Sequence, residues 1–460
     1  MIRRLLLSCA ALACLAAPPR TMRVDYGHTG NAKDEHFGLE RVVEEPLPWP
    51  GDLAKTEDAS NLGKYFFEVD DRATGKALYS RGFASIFGEW ETTDEAQTLT
   101  RSFDESLRFP EPDRPVRIHL KKRDAANAFK DVWVFDLDPH DMSVDRSLPP
   151  SPGPVLALQK AGDPATKVDF LILGDGYTAA ERPKFEKDAR RLMAMLFAQS
   201  PFKEHQSDFN VWAICPPARE SGISRPSTGI HRHSPLGATY DAFGSERYIL
   251  TFDNKAWREA ASYAPYEFVE ILVNGKTYGG GGIFNLFSTV AADNTFSPYV
   301  FVHEFGHHFA GLADEYYTSD VAVTNNPARP EPWEPNVTAD PKHPKWAGLL
   351  TSGIPLPTPW KKAEFESFSQ GIQKERRAIR AANQPESVME ALFARERVHE
   401  TKLLGTDAHS GQVGAFEGAN YEASGYFRSQ EDCIMFTRDQ VGFCAACRAA
   451  IARVISMYAR

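Results

Sequence analysis

From Lys64 to Pro139 apolar and polar positions alternate with period two: Val116, Ile118 and Leu120 stand against Arg117, His119 and Lys121, and Val132, Val134 or Phe135, and Leu137 repeat the pattern. Such alternation makes strands with one buried face. Polar turns such as Asp71 to Lys76 separate them, so the pattern predicts an all-β sandwich over residues 22–147, a unit in which no residue carries chemistry. Residues 148–154 read Leu-Pro-Pro-Ser-Pro-Gly-Pro, which offers too few backbone donors for sheet or helix and predicts a stiff linker.

Beyond the linker the period changes. Val168 to Leu173 is a continuous apolar run, as in a buried strand, and Gly174-Asp175-Gly176 turns it toward a helix. Thr178 and Glu181 form a capping box, after which Phe185, Ala189, Leu192 and Leu196 recur at helical spacing. Strands are expected at Phe209 to Cys215, Tyr248 to Phe252 and Phe268 to Val273, with a helix around Ala256 to Ser262. Residues 319–410 are poorer in apolar periodicity, open with a Pro-rich coil and continue as a highly charged helical stretch, which reads as a surface insertion with a solvated face. Phe443, Cys447, Ile451, Val454 and Tyr458 close the chain as a terminal helix. The fold class expected is α+β: a sandwich, then a unit over 155–460 with a mixed twisted sheet, helices and a C-terminal helical subdomain.

Composition adds the compartment. Arg3 and Arg4 precede an apolar run from Leu5 to Leu15 and an Ala-x-Ala pattern, an export signal over residues 1–20 that is too short to span a bilayer. Export to the periplasm, cell surface or medium follows, and Cys14 offers a lipid attachment point, although Ala11 stands where lipoprotein signals carry Leu. A net charge of -10 leaves no global footprint for nucleic acid. Outside the signal, Cys215, Cys433, Cys444 and Cys447 allow three disulfide pairings, and staples or buried thiols are both compatible with the pattern. Cys444-x-x-Cys447 lies in a helical pattern without a thioredoxin-like context.

The chemistry concentrates in His303-Glu304-Phe305-Gly306-His307. Residues four apart share one helix face, so His303 and His307 can aim two imidazoles at one zinc ion about 2.1 Å away, with Glu304 in reach of a bound water. Ser297 is suited to the N-cap, Pro298 to the first turn, and Phe301, Phe305, Phe309 and Leu312 form a separate apolar stripe. A catalytic zinc takes a third protein ligand and keeps one position for water. Gly311 ends the helix, and the chain reverses to Asp314, the favoured third ligand, with Glu315 as the alternative. His308 points about 100° from the ligand face and reads as a surface or supporting group, and His231 and His233 are assigned no metal.

His303 to Asp314 resembles the metzincin signature H-E-x-x-H-x-x-G-x-x-H/D, except that Gly311 comes one residue late while the Gly-x-x-Asp interval is kept. The longer string from His303 to Tyr316, with Leu173 to Thr178, Gly414 to Ala419, and Cys433-Ile434-Met435 leading to Cys447, resembles the immunoglobulin A peptidase family of bacterial zinc metallopeptidases. That resemblance implies a β-rich N-terminal domain and a single catalytic zinc. Likeness to metzincins implies that Met435 forms an apolar floor beneath the ligands, and that the glycine run holding Gly280, Gly281 and Gly282 is an edge strand for extended substrate. For the oxyanion stabiliser, Tyr421 and Tyr426 are named as guesses.

The expected activity is secreted, zinc-dependent endopeptidase cleavage of protein or peptide by a water that Glu304 activates. Two other readings stand beside it: a secreted or surface binding protein with a structural zinc, and a metal-dependent hydrolase of cell-wall or modified peptides.

Overall fold

The computed structural model describes residues 18–318 and 329–460; the export signal with Cys9 and Cys14, apart from its last residues, and the start of the expected insertion at 319–328 lie outside the described residues. Seven strands open the chain: β1 (Arg20–Gly30), β2 (Glu35–Pro48), β3 (Tyr65–Asp71), β4 (Ala77–Phe83), β5 (Arg101–Pro110), β6 (Val116–Arg123) and β7 (Phe129–Leu137). They form two antiparallel sheets, ordered β2-β1-β5 and β4-β3-β6-β7. Met22, Val24 and Tyr26 of one sheet share a core with Phe67, Val69, Ile118 and Leu120 of the other, as alternation dictates.

In β7 the inward set is Trp133, Phe135 and Leu137, while Val132 and Val134 face solvent. Pairing explains the difference from the expectation. Leu120 lies opposite Trp133, Ile118 opposite Phe135 and Val116 opposite Leu137, and residues directly opposite share a face; a register shift follows at Leu120/Lys121.

The central layer is a six-stranded sheet. Its strands are β8 (Leu156–Gln159), β9 (Val168–Asp175), β10 (Phe209–Ile214), β13 (Phe268–Val273), β14 (Gly280–Ile283) and β15 (Phe287–Ala291), in the order β14-β15-β13-β9-β10-β8. β10, β9, β13 and β15 run parallel, and the edges β8 and β14 are antiparallel. The strand expected over Tyr248 to Phe252 shortens to β12 (Leu250–Thr251), paired with β11 (Ala238–Thr239). The expected capping box forms, Thr178 N–H donating to Glu181 at 2.9 Å, and leads into a helix at Arg182–Leu196.

Seven α-helices occur among the described residues: α1 (Ile86–Trp90), α2 (Arg182–Leu196), α3 (Asn254–Ala261), α4 (Ser297–Ala310), α5 (Lys362–Ala381), α6 (Glu386–Gly405) and α7 (Ala445–Tyr458). A small sheet joins β16 (Val337–Thr338), β17 (Phe416–Ala419) and β18 (Glu422–Arg428). The described part of 319–410 is a packed layer rather than a surface appendage. Phe365, Ile372, Met389, Leu392 and Phe393 of α5 and α6 join one core with Phe296 and Val300, because most of their sparse large apolar residues fall on the buried sides of the pair, Val388 and Val398 being the exposed exceptions. No helix among the described residues is long and apolar enough to cross a membrane.

The N-terminal sheets share packing with the rest of the chain. Ile86, Phe87, Trp90 and Phe103 pack with Leu171, Trp257 and Ile271, and Ala84 N–H donates to Phe284 O at 2.9 Å. Asn285 Nδ2 donates to Gly82 O at 3.0 Å, so the loop after the edge strand β14 is pinned from the N-terminal side.

α4 lies across this sheet. Phe301, Phe305 and Phe309 are fully buried, Phe305 and Phe309 meeting Phe170, Phe202 and Phe268. Ser297 begins the helix instead of capping it: its hydroxyl accepts from Asn294 N–H and donates to Ala291 O, and Phe296 holds the cap position. His308 is buried, not a surface group. It accepts from Val269 N–H at 3.0 Å through Nε2 and donates to Ile283 O at 3.1 Å through Nδ1, and burial drives its pKa down to about 3, so the ring stays neutral while joining α4 to two strands.

The glycines of β14 permit close approach, but mainly of this chain's own backbone. A Cβ on Gly282 would stand 2.3 Å from Glu304 O, and one on Gly281 would stand 2.5 Å from the Tyr248 ring. Gly280 exchanges backbone hydrogen bonds with Arg247 and Ile249, so that part of the edge is already occupied. Gly282→Ala should therefore lift β14 off α4 and cost about 1–3 kcal/mol. A fall of several degrees in the thermal midpoint is expected, and an unchanged midpoint would show that the strand yields freely.

Candidate active site

Helix geometry places His303 and His307 on one face of α4, and their Nε2 atoms are 3.1 Å apart. The third group comes from beyond the helix. Gly311 takes the left-handed conformation (φ 59°, ψ 37°) that ends α4, and the chain turns so that Asp314 Oδ1 lies 3.1 Å from His303 Nε2 and 3.2 Å from His307 Nε2.

Each imidazole is oriented by a backbone carbonyl on its other nitrogen. His303 Nδ1 donates to Ile434 O at 2.9 Å, and His307 Nδ1 donates to Leu312 O. In those tautomers both Nε2 atoms present lone pairs, and they face a carboxylate oxygen that is buried without a hydrogen-bond partner. Three facing acceptors repel unless a metal ion or a proton lies among them; without a metal, Asp314 overrides burial and lifts the His307 pKa to about 9. Bonds of about 2.0–2.1 Å to a tetrahedral zinc give ligand separations near 3.4 Å, so the donor set fits a divalent ion. Burial opposes charge on Asp314, but His307 and His303 outweigh it and hold the carboxylate well below its ordinary pKa.

Glu304 adjoins the pair, and the three residues offer ligand atoms within 4.8 Å of one another. Burial raises its carboxyl above the ordinary value, against the pull of His303 and His307. Beneath the helix, Met435 is fully buried and packs at Gly306, where a Cβ would approach its sulfur to 3.2 Å. Met435 O accepts from Glu315 N–H at 2.8 Å, so the same turn supports His303 through Ile434 and the segment that carries Asp314.

Glu315 is not brought to the histidines. It turns away from Asp314 toward Asn336 and the thiols of Cys444 and Cys447. The two tyrosines separate likewise. Tyr421 lines the cleft and its hydroxyl donates to Asp314 Oδ2, whereas Tyr426 donates to Pro330 O at 3.0 Å, away from it. Gly280 and Gly282 border the cleft, while Gly281 packs on Tyr248. His231 and His233 are exposed and join no metal-ligand cluster among the described residues.

A cleft of about 1080 Å³ opens above the three groups. Its walls come from parts that carried no chemical signal in the sequence: Ala84, Glu89 and Thr93 from the N-terminal portion, Arg376 and Arg380 from α5, and Arg247 beside Tyr316. The unit expected to be without chemistry therefore supplies one wall. Arg380 pairs with Glu246 at 2.8 Å and with Glu386 at 2.6 Å, and Arg247 Nη2 donates to Tyr316 OH at 3.1 Å. Arg247 was illegible in sequence because only folding brings it to α4.

A mixed α/β chain with a His-Glu-x-x-His helix, a third acidic group and a supporting methionine turn beside an open cleft has the architecture of a metallopeptidase. Residues 156–455 match the family model described as IgA Peptidase M64, and residues 16–134 match the model described as Peptidase M64 N-terminus. The chain belongs to the IgA peptidase M64 family, which implies a metallopeptidase acting on peptide substrate. No curated protein matches the sequence.

The contrast between the tyrosines is directly measurable. Tyr421→Phe removes the hydrogen bond on Asp314 and should lower metal affinity or activity about 10–100-fold. Tyr426→Phe should stay within about twofold of wild type. Metal competition titrations and turnover measurements on both variants check this, and equal effects would contradict the distinction.

Proposed function

We propose that the chain is an exported zinc-dependent endopeptidase in which His303, His307 and Asp314 hold the ion and Glu304 moves the proton. The observation that carries the reading is the meeting of two Nε2 lone pairs and Asp314 Oδ1 at 3.1–3.2 Å with Glu304 alongside. When bound, zinc supplies a Lewis acid for the scissile carbonyl and an acidified water. Glu304 accepts the proton of the attacking water and delivers it to the leaving amine, a role helped by a carboxyl whose proton affinity burial has raised. Asp314 stays anionic, oriented by Tyr421. Arg247 and Tyr316 line the cleft as a donor pair for the developing oxyanion, in place of Tyr426. Met435 keeps the turn under the histidines dry and fixed.

An open cleft admits an extended chain, in keeping with internal cleavage. Export rests on the basic and apolar pattern of the first residues. A binding protein with a purely structural ion is the poorer account, since a closed structural site takes four protein ligands and gives Glu304 no task.

The test is Glu304→Gln. It should retain wild-type metal content and lose about 10²–10⁴-fold in turnover of an unfolded protein substrate. Full cleavage by that variant with its metal in place would overturn the assignment, as would wild-type activity that persists through exhaustive chelation.

A further inference from the structure

Behind the catalytic turn lies a second cluster that the proposed chemistry does not use. Cys433, Cys444, Cys447 and Glu315 are all buried, all three cysteines are free thiols, and one ligand atom from each of the four residues lies within 4.8 Å of the others. Cys433 Sγ and Cys447 Sγ are 3.9 Å apart, and Glu315 Oε1 is 3.4 Å from both Cys444 Sγ and Cys447 Sγ. A tetrahedral zinc with bonds of about 2.3 Å to sulfur and about 2.0 Å to oxygen has edges of about 3.8 Å between sulfurs and about 3.5 Å between sulfur and oxygen. The Cys433–Cys447 edge and the two edges from Glu315 to Cys444 and Cys447 match those lengths, and the remaining ligand atoms lie within 4.8 Å of one another.

Two of the three sulfurs accept hydrogen bonds from backbone or hydroxyl donors. Cys433 Sγ accepts from Met435 N–H at 3.4 Å and from Cys444 N–H at 3.2 Å, and Ser429 Oγ donates to Cys444 Sγ at 3.1 Å. Cys444 occupies the N-cap of α7, where the helix end favours negative charge. Asn336 Nδ2 donates to Glu315 Oε1 at 3.0 Å, while Glu315 Oε2 is buried without a hydrogen-bond partner. A disulfide would join two sulfurs at about 2.05 Å and leave the third thiol and the buried carboxylate unexplained.

We propose that Cys433, Cys444, Cys447 and Glu315 form a second metal site, closed by four protein ligands and structural in role, that takes zinc. Binding exchanges three thiol protons for the ion, with no change of oxidation state. The ion would join three separate pieces of chain: the segment on which Glu315 follows Asp314, the turn on which Cys433 precedes Met435, and the start of α7. Each of the first two also carries part of the catalytic centre, so the second site acts as a brace behind it.

The experiment is metal analysis of the purified full chain, wild type and His303→Ala/His307→Ala, with thiol alkylation and intact mass under denaturing conditions. About two zinc ions per chain are expected in wild type and about one in the histidine variant. A cobalt-loaded histidine variant should still show the sulfur-to-cobalt charge-transfer band, and Cys447→Ser should lose it. A histidine variant without metal would overturn the proposal, as would a mass and alkylation count that show two of the three cysteines joined. The histidine variant isolates this site from the catalytic one, so each reading can fail alone, and it keeps the test valid should Cys447→Ser fail to fold.

Discussion

The arrangement depends on holding three acceptors face to face. Two imidazole nitrogens and a carboxylate oxygen stand within 3.2 Å of one another in a buried place, and only a cation among them, a metal ion or a proton on an imidazole, relieves their mutual repulsion. The fold keeps them there by fixing each from behind. Ile434 O orients His303, Leu312 O orients His307, and Tyr421 orients Asp314. These restraints come from three regions of the chain, and the helix bearing the histidines is itself fixed by phenylalanines below and by His308 between two strands. A preorganised set of this kind gains nothing in the absence of a cation, which is the physical ground for a metal centre.

Around that centre the chain distributes its work unevenly. The six-stranded sheet and α4 position the ligands, while the cleft walls are assembled from the N-terminal portion, from α5 and from the loop that contains Arg247. Such a division gives the N-terminal unit a direct part in forming the cleft. The turn at Cys433 to Phe436 links the two functions of the C-terminal region: it supports the histidines on one side and faces the buried thiols on the other.

Much of the local structure was legible in sequence because it depends on neighbours a few residues away. The capping box before α2, the buried strand at Val168, the apolar stripe of α4, the left-handed end at Gly311 and the shared face of His303 and His307 all follow from short-range spacing and backbone sterics. Where expectation and structure differ, contacts distant in sequence decided. The inward face of β7 was set by its pairing with β6, the charged stretch of α5 and α6 was drawn into the core by a few well-placed apolar residues, and Ser297 bonded to a neighbouring loop in place of capping its helix.

The site divides along the same line. Sequence alone determined the two histidines and the glutamate as a unit, since one helical turn is enough to bring them together, and it confined the third group to two adjacent acids. Only the tertiary structure separates them in space, setting Asp314 toward α4 and Glu315 toward the thiols. It likewise separated Tyr421 from Tyr426, brought Arg247 and Glu89 to the cleft, and collected three cysteines of undetermined pairing around one carboxylate. The reason is one of range: spacing encodes which side chains share a helix face or strand face, but which faces meet is fixed by packing among segments that no local pattern relates.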